Sequence, residues 1–144
     1  MDIHSEIDID RPASEVWRVL TDFSAYAQWN PMIPRIKGEP RVGSRVSFRI
    51  KIPGGLQVPI DAEVVIADSD RELRWVGPAR KQLRGLVSGS HYYRIEPRGP
   101  AGVRFCHGEV FSGLLVPGTW PRGERTLTPM YAAFNRALKR RVEI

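Results

Sequence analysis

The chain has 144 residues, one cysteine and a formal net charge of +6, with 42% hydrophobic and 26% charged residues. That length suits one domain with a real core, and the composition is that of a globular protein rather than a disordered one. A single Cys106 excludes an internal disulfide and any cysteine-rich metal centre. No charged-then-apolar leader opens the sequence and no apolar run approaches bilayer length, so a cytoplasmic protein is expected.

Acidic residues dominate positions 1–34 and basic ones the remainder, notably Arg35, Lys37, Arg41, Arg45, Arg49 and Lys51. A cationic rim of this kind can attract anionic partners over long range. No zinc spacing, helix-turn-helix pattern or RNA-binding aromatic strand accompanies it, so no nucleic-acid partner is expected.

Residues 3–9 alternate, with Ile3, Ser5, Ile7 and Ile9 on one face and His4, Glu6 and Asp8 on the other, as a half-buried strand does. Asp10 to Glu15 reads as a helix start: Pro12 is tolerated in a first turn and acids there suit the helix dipole. Val16, Trp17, Leu20 and Phe23 form the stripe, with Trp17 packing helix on sheet. A second short helix carries Tyr26 and Trp29 and ends at Asn30-Pro31. Pro34, Gly38, Pro40 and Gly43 then punctuate a loop.

Val46, Phe48, Ile50 and Ile52 alternate with cationic or polar residues, and Pro53-Gly54-Gly55 turns the chain. Leu56, Val58, Ile60, Ala62, Val64 and Ile66 alternate again, Pro59 requiring an edge position or a bulge. Leu73 and Trp75 mark a strand broken at Gly77-Pro78. Val87, His91, Tyr93 and Ile95 share a face of the next, and Pro97-Arg98-Gly99-Pro100 returns the chain into 103–114. Strands joined by short turns favour an antiparallel meander. Val116 to Arg125, rich in glycine and proline, reads as an irregular segment able to cover a cavity mouth, with Trp120 readable either as a lid residue or as a lattice-contact residue. Thr128-Pro129 reads as the start of a last helix, its stripe formed by Leu127, Met130, Tyr131, Phe134 and Leu138, with Lys139, Arg140 and Arg141 at its C-terminal end.

Residues 103–114 are the most informative. One strand face carries Phe105, His107, Glu109 and Phe111. Two titratable groups between aromatics suit neither a dry core nor a wet surface, and read as a cavity wall. A hairpin register sets His91 across from the neighbourhood of His107 and Glu109. The three either hydrogen-bond one another or a buried water, orient a ligand, or act as acid and base on a carbonyl compound. Their spacing fixes no metal geometry. Trp29, Phe48, Ile50, Trp75, Tyr93, Phe105, Phe111, Tyr131 and Phe134 complete the candidate ligand-binding set, each also readable as core. Cys106, on the opposite strand face, reads as an inert thiol.

Asp10-Arg11-Pro12-Ala13-Ser14-Glu15-Val16-Trp17, Leu20-Thr21-Asp22-Phe23, Trp29-Asn30-Pro31, Val42-Gly43-Ser44-Arg45-Val46 and Glu109 to Leu115, in that order, resemble the START-like superfamily, also called SRPBCC or polyketide cyclase/dehydrase-like. The resemblance spans essentially the whole chain. It implies an α+β helix-grip fold: a curved antiparallel sheet around a long C-terminal helix, two short helices after the first strand, and a hydrophobic cavity between sheet and helix. Members of that superfamily carry lipids and hormones or cyclise aromatic polyketides, so the fold leaves the reaction open. The expectation is one domain over 1–144 that binds an aromatic or lipid-like molecule without a cofactor, as a monomer or homodimer. Its mouth lies at the 31–44 and 113–126 loops. The alternatives are a cyclase or dehydratase using Glu109 or a histidine as general acid/base, and a regulatory, partner-binding module.

Overall fold

The computed structural model describes residues 1–144. The chain runs β1 (Asp2–Ile9), α1 (Ala13–Thr21), a 3-10 helix (Phe23–Gln28), β2 (Ile36–Lys37), β3 (Arg45–Lys51), β4 (Gln57–Asp68), β5 (Glu72–Gly77), a 3-10 turn (Lys81–Leu83), β6 (Ser88–Arg98), β7 (Gly102–Ser112) and α2 (Val116–Glu143). All seven strands form one antiparallel sheet in the order β1-β7-β6-β5-β4-β3-β2. The curved sheet grips α2, the helix-grip architecture. No helix is long and apolar enough to cross a membrane.

Strand alternation sets which face meets the helix. Ile3 and Ile9 of β1, Tyr93 and Ile95 of β6, and Val103 and Phe105 of β7 point inward and are buried with Tyr131, Phe134 and Leu138 of α2. Burying each such side chain contributes roughly 1.5–3 kcal/mol. Val16 and Leu20 of α1 and Phe23 and Tyr26 of the 3-10 helix close the core from above. Trp17 lies half-buried against the same core.

Three expectations are corrected. The segment from Val116 to Arg125 is helical, so α2 begins twelve residues before Thr128. Pro121 and Pro129 each remove one backbone donor inside it, a pattern that argues against a helix when read locally. Packing of the long helix overrides that preference: Trp120 lies against Phe111, ring centroids 5.5 Å apart, and Leu127 packs on the core. Ile66 does not continue the inward face of β4, because the register shifts between Val64 and Ile66. Ile66 therefore pairs with outward Arg74, and Ala67 takes the inward place opposite buried Leu73. Val87 lies outside β6 and is exposed. Pro59 does occupy a locally open edge: β3 pairs with this half of β4, whereas β5 pairs only from Glu63 onward.

Candidate functional site

A cavity of about 460 Å³ opens at one end of the sheet, with mostly apolar walls. Phe48 and Ile50 of β3, Ile60 and Ala62 of β4, and Trp75 of β5 form its floor. Pro78, Leu83, Leu86 and Val87, from the connection between β5 and β6, form a second wall. That wall is pinned by backbone bonds from Leu114 N–H to the Gly85 carbonyl (3.1 Å) and from Leu115 N–H to the Leu86 carbonyl (3.0 Å). Gly113 permits this pairing, since its φ of 116° is strained for other residues and a side chain there would strike the Leu86 carbonyl. Leu83 (44% exposed), Leu86 (48%) and Leu115 (58%) line the rim, an apolar mouth open to solvent.

The cavity therefore lies between the sheet and the 78–87 connection, displaced from the expected place along the body of the terminal helix. The space beneath α2 is filled by Tyr131, Phe134 and Leu138, all fully buried. Of the sequence-derived candidates, Phe48, Ile50, Trp75, His91, Glu109 and Phe111 reach the cavity. Tyr93, Phe105, His107, Tyr131 and Phe134 are buried behind it, and half-buried Trp29 packs edge-on against Phe134. Ile33 is the lining residue from the 31–44 loop and Leu115 the one from the 113–126 stretch. A second depression of about 640 Å³ lies against β2, β3 and β4. Arg35, Lys37, Arg49 and Lys51 line it, which makes it a cationic groove rather than an apolar site.

His91 and Glu109 are directly opposed in the β6–β7 register, and Tyr93 is opposed to His107. A chain of hydrogen bonds joins them through the core. Ser5 Oγ donates to the His107 carbonyl (2.8 Å) and accepts from Asn135 Nδ2 (2.8 Å). Asn135 thereby turns its oxygen to His107 Nδ1, 3.0 Å away. An amide oxygen only accepts, so His107 carries its proton on Nδ1. Burial, and secondarily the charge of neighbouring His91, holds the His107 pKa well below its ordinary value, so His107 is neutral and its Nε2 accepts. His91 Nε2, 2.9 Å from it, must donate.

One more proton is then required on the His91 Nδ1···Glu109 Oε1 axis, 2.9 Å long, because otherwise two lone pairs would face each other. The Tyr131 hydroxyl donates to the same Oε1 and stands 3.3 Å from His91 Nδ1. Burial, then the nearby Glu109 charge, pushes the Tyr131 pKa well above its usual value and keeps that hydroxyl a donor. Both protein bonds of the carboxyl go to Oε1, which leaves Oε2 without a protein partner at the cavity wall. Trp75 stacks on His91 at 5.5 Å and 13°, fixing the ring between an indole and the core.

Sequence reading missed two parts of this site. The 78–87 wall has no periodicity, although Leu83, Leu86 and Val87 stand out in a basic segment. Asn135 sits within the apolar stripe of α2, between Phe134 and Leu138, and a buried amide on such a stripe needs a partner. Cys106 lies on the outer sheet face, its thiol pKa raised to about 11, chiefly by burial. It is no nucleophile for this cavity.

A family model described as polyketide cyclase / dehydrase and lipid transport matches residues 1–143. No curated protein sequence matches the chain. Among solved structures, the Zhui aromatase/cyclase from a Streptomyces species aligns over 99% of this chain and 93% of its own, with TM-score 0.79 and 16% identity. A START superfamily protein from Mycobacterium smegmatis gives 0.75 at 19% identity, over 99% and 97%. Norcoclaurine synthase from Thalictrum flavum gives 0.74 at 16%, over 99% and 94%. At such identities these structures share the fold. With the family match spanning nearly every residue, the chain belongs to the polyketide cyclase/dehydrase and lipid transport family.

Proposed function

We propose that this protein binds a largely apolar small molecule, aromatic or lipid-like, that carries one hydroxyl or carbonyl group. The observation that carries the reading is the free Glu109 Oε2 at the wall of an otherwise apolar, open-mouthed cavity of about 460 Å³. Apolar burial would drive binding, at about 25 cal/mol per Å² removed from water. Glu109 would orient the ligand, and His91, Tyr131, His107 and Asn135 would hold Glu109. Native mass spectrometry of the protein purified from its own cells tests this: a retained small organic molecule is expected, displaced by competing apolar ligands. Protein that is mass-identical to the bare chain and takes up no apolar ligand would defeat the proposal.

A second reading, acid–base catalysis on a bound carbonyl compound, is favoured by one specific feature. The proton on the His91–Glu109 axis is adjacent to the cavity and backed by a relay of two imidazoles and an amide. With the axis proton on His91 Nδ1, the Glu109 carboxylate could take a proton from the ligand through Oε2, leaving a neutral carboxyl and an enolate beside the His91 imidazolium. The aromatase/cyclase and norcoclaurine synthase of the same fold make such chemistry a natural comparison. Conversion of a polyketone by the protein, abolished in Glu109→Gln, is the expected result on this reading. Binding without turnover leaves the carrier reading alone.

A further inference from the structure

The face of the sheet turned away from the cavity carries a second cluster of chemically competent groups. Glu6 of β1 and Cys106 of β7 are directly opposed in the strand register, and His4 precedes Glu6 by two residues on the same face. Glu6 Oε2 lies 3.0 Å from His4 Nε2 and 3.7 Å from Cys106 Sγ, and all three donor atoms lie within 4.8 Å of one another.

The imidazole is held in place by a device that spans three strands. His4, Gly108 and Tyr92 form one row across β1, β7 and β6. Gly108 has no side chain, and the Tyr92 phenol passes over it; any Cβ there would strike the Tyr92 ring. The Tyr92 hydroxyl thus reaches His4 Nδ1 at 2.7 Å. Tyr92 is itself clamped between the Arg74 and Arg94 guanidinium groups, 4.9 Å and 4.6 Å from its ring centre. The result is an imidazole whose Nδ1 is occupied and whose Nε2 faces a carboxylate and a thiol. Fixing one ring nitrogen so that the other is aimed is how proteins orient a metal-binding histidine.

From this geometry we infer that His4 Nε2, Glu6 Oε2 and Cys106 Sγ form a binding site for a zinc-class divalent cation on the outer face of the sheet. A nitrogen, an oxygen and a sulfur ligand suit Zn²⁺. Tetrahedral zinc places such ligands roughly 3.3–3.6 Å apart, close to the two separations above. The third edge, His4 Nε2 to Cys106 Sγ, lies within 4.8 Å, and a shift of at most about 1.2 Å in the half-exposed His4 and Glu6 side chains closes it. The cation replaces the thiol proton, which is released to solvent, and the carboxylate and thiolate balance its two charges. Arg104, whose charge acts on Glu6, is itself engaged by Asp8 at 3.3 Å. The fourth position faces solvent on the side of His4 and Glu6, which are 43% and 46% exposed. Because β1 is an edge strand, the ion would staple it to β7.

Cobalt(II) titration of the metal-stripped, reduced full-length protein tests the site. One equivalent should produce a thiolate-to-cobalt charge-transfer band in the near ultraviolet, bleached when Zn²⁺ is added. Cys106→Ser should abolish the band. His4→Ala and Glu6→Gln, both at half-exposed positions that the fold tolerates, should each weaken cobalt binding by more than the about tenfold loss expected for Tyr92→Phe. Absence of the band at saturating cobalt, or a band indifferent to His4→Ala and Glu6→Gln, overturns the assignment. Should Cys106→Ser fail to fold, those two variants decide it.

Discussion

The carboxylate of Glu109 occupies the space that a side chain at residue 89 would need: a Cβ added to Gly89 would collide with Glu109 Oε2. Gly89 is cross-strand neighbour to Phe111 and lies two residues before His91. Its bare backbone lets the carboxyl sit beside His91 and Tyr131 while still facing the cavity. Gly89→Ala should therefore displace Glu109 and weaken ligand binding. Its stability cost should stay within the about 1–3 kcal/mol of ordinary overpacking. Paired calorimetric binding and thermal unfolding measurements check this; unchanged affinity would detach Glu109 from the ligand.

His107 should make the fold sensitive to acid. Its native pKa is held well below the ordinary value, chiefly by burial, so the unfolded chain takes up a proton near pH 6.5 that the folded chain refuses. Stability from this group is complete above about pH 6.5 and falls as pH drops towards the native pKa, by at most about 1.4 kcal/mol per pH unit. Melting temperatures measured from neutral to mildly acidic pH should fall on that side, and His107→Phe should flatten the slope.

Asn135 should matter far more than a helix-surface amide. Asn135→Leu leaves the His107 Nδ1–H buried without an acceptor and Ser5 without its amide donor. The expected loss is about 1–3 kcal/mol of stability, read by denaturant unfolding.

The two groups of aromatic and aliphatic candidates should separate in a mutation series. Phe134→Ala, in the filled space beneath α2, should cost about 3–5 kcal/mol. Leu86→Asp at the exposed rim should leave stability within about 0.5 kcal/mol while impairing ligand uptake. Chemical denaturation and binding rates measured on the same variants distinguish them.

The fold was readable where one physical rule dominates. Strict alternation in β1, β3 and β7 follows from a sheet buried on one face, and the short Gly99–Pro100 turn placed His91 opposite Glu109. Reading failed where distant packing outweighs local preference. Pro121 and Gly123 look like helix breakers, yet contacts such as Trp120 on Phe111 keep α2 continuous to Val116. The shift at Val65 turned Ile66 outward without any glycine or proline to announce it. The two-residue β2 inside the 31–44 loop is too short to show a period. The cavity wall at 78–87 is held by backbone bonds to 114–115, which side-chain patterns do not record.

The central claim is that an apolar molecule enters through the Leu83–Leu86 rim and presents an oxygen to Glu109. Isothermal titration with a hydroxylated polycyclic aromatic compound tests it most directly. Saturable one-to-one binding is expected, weakened about 10- to 100-fold in Glu109→Gln, the worth of a hydrogen bond to a charged group. Heat-silent mixing, or equal affinity in the native protein, Glu109→Gln and Leu86→Asp, would contradict it.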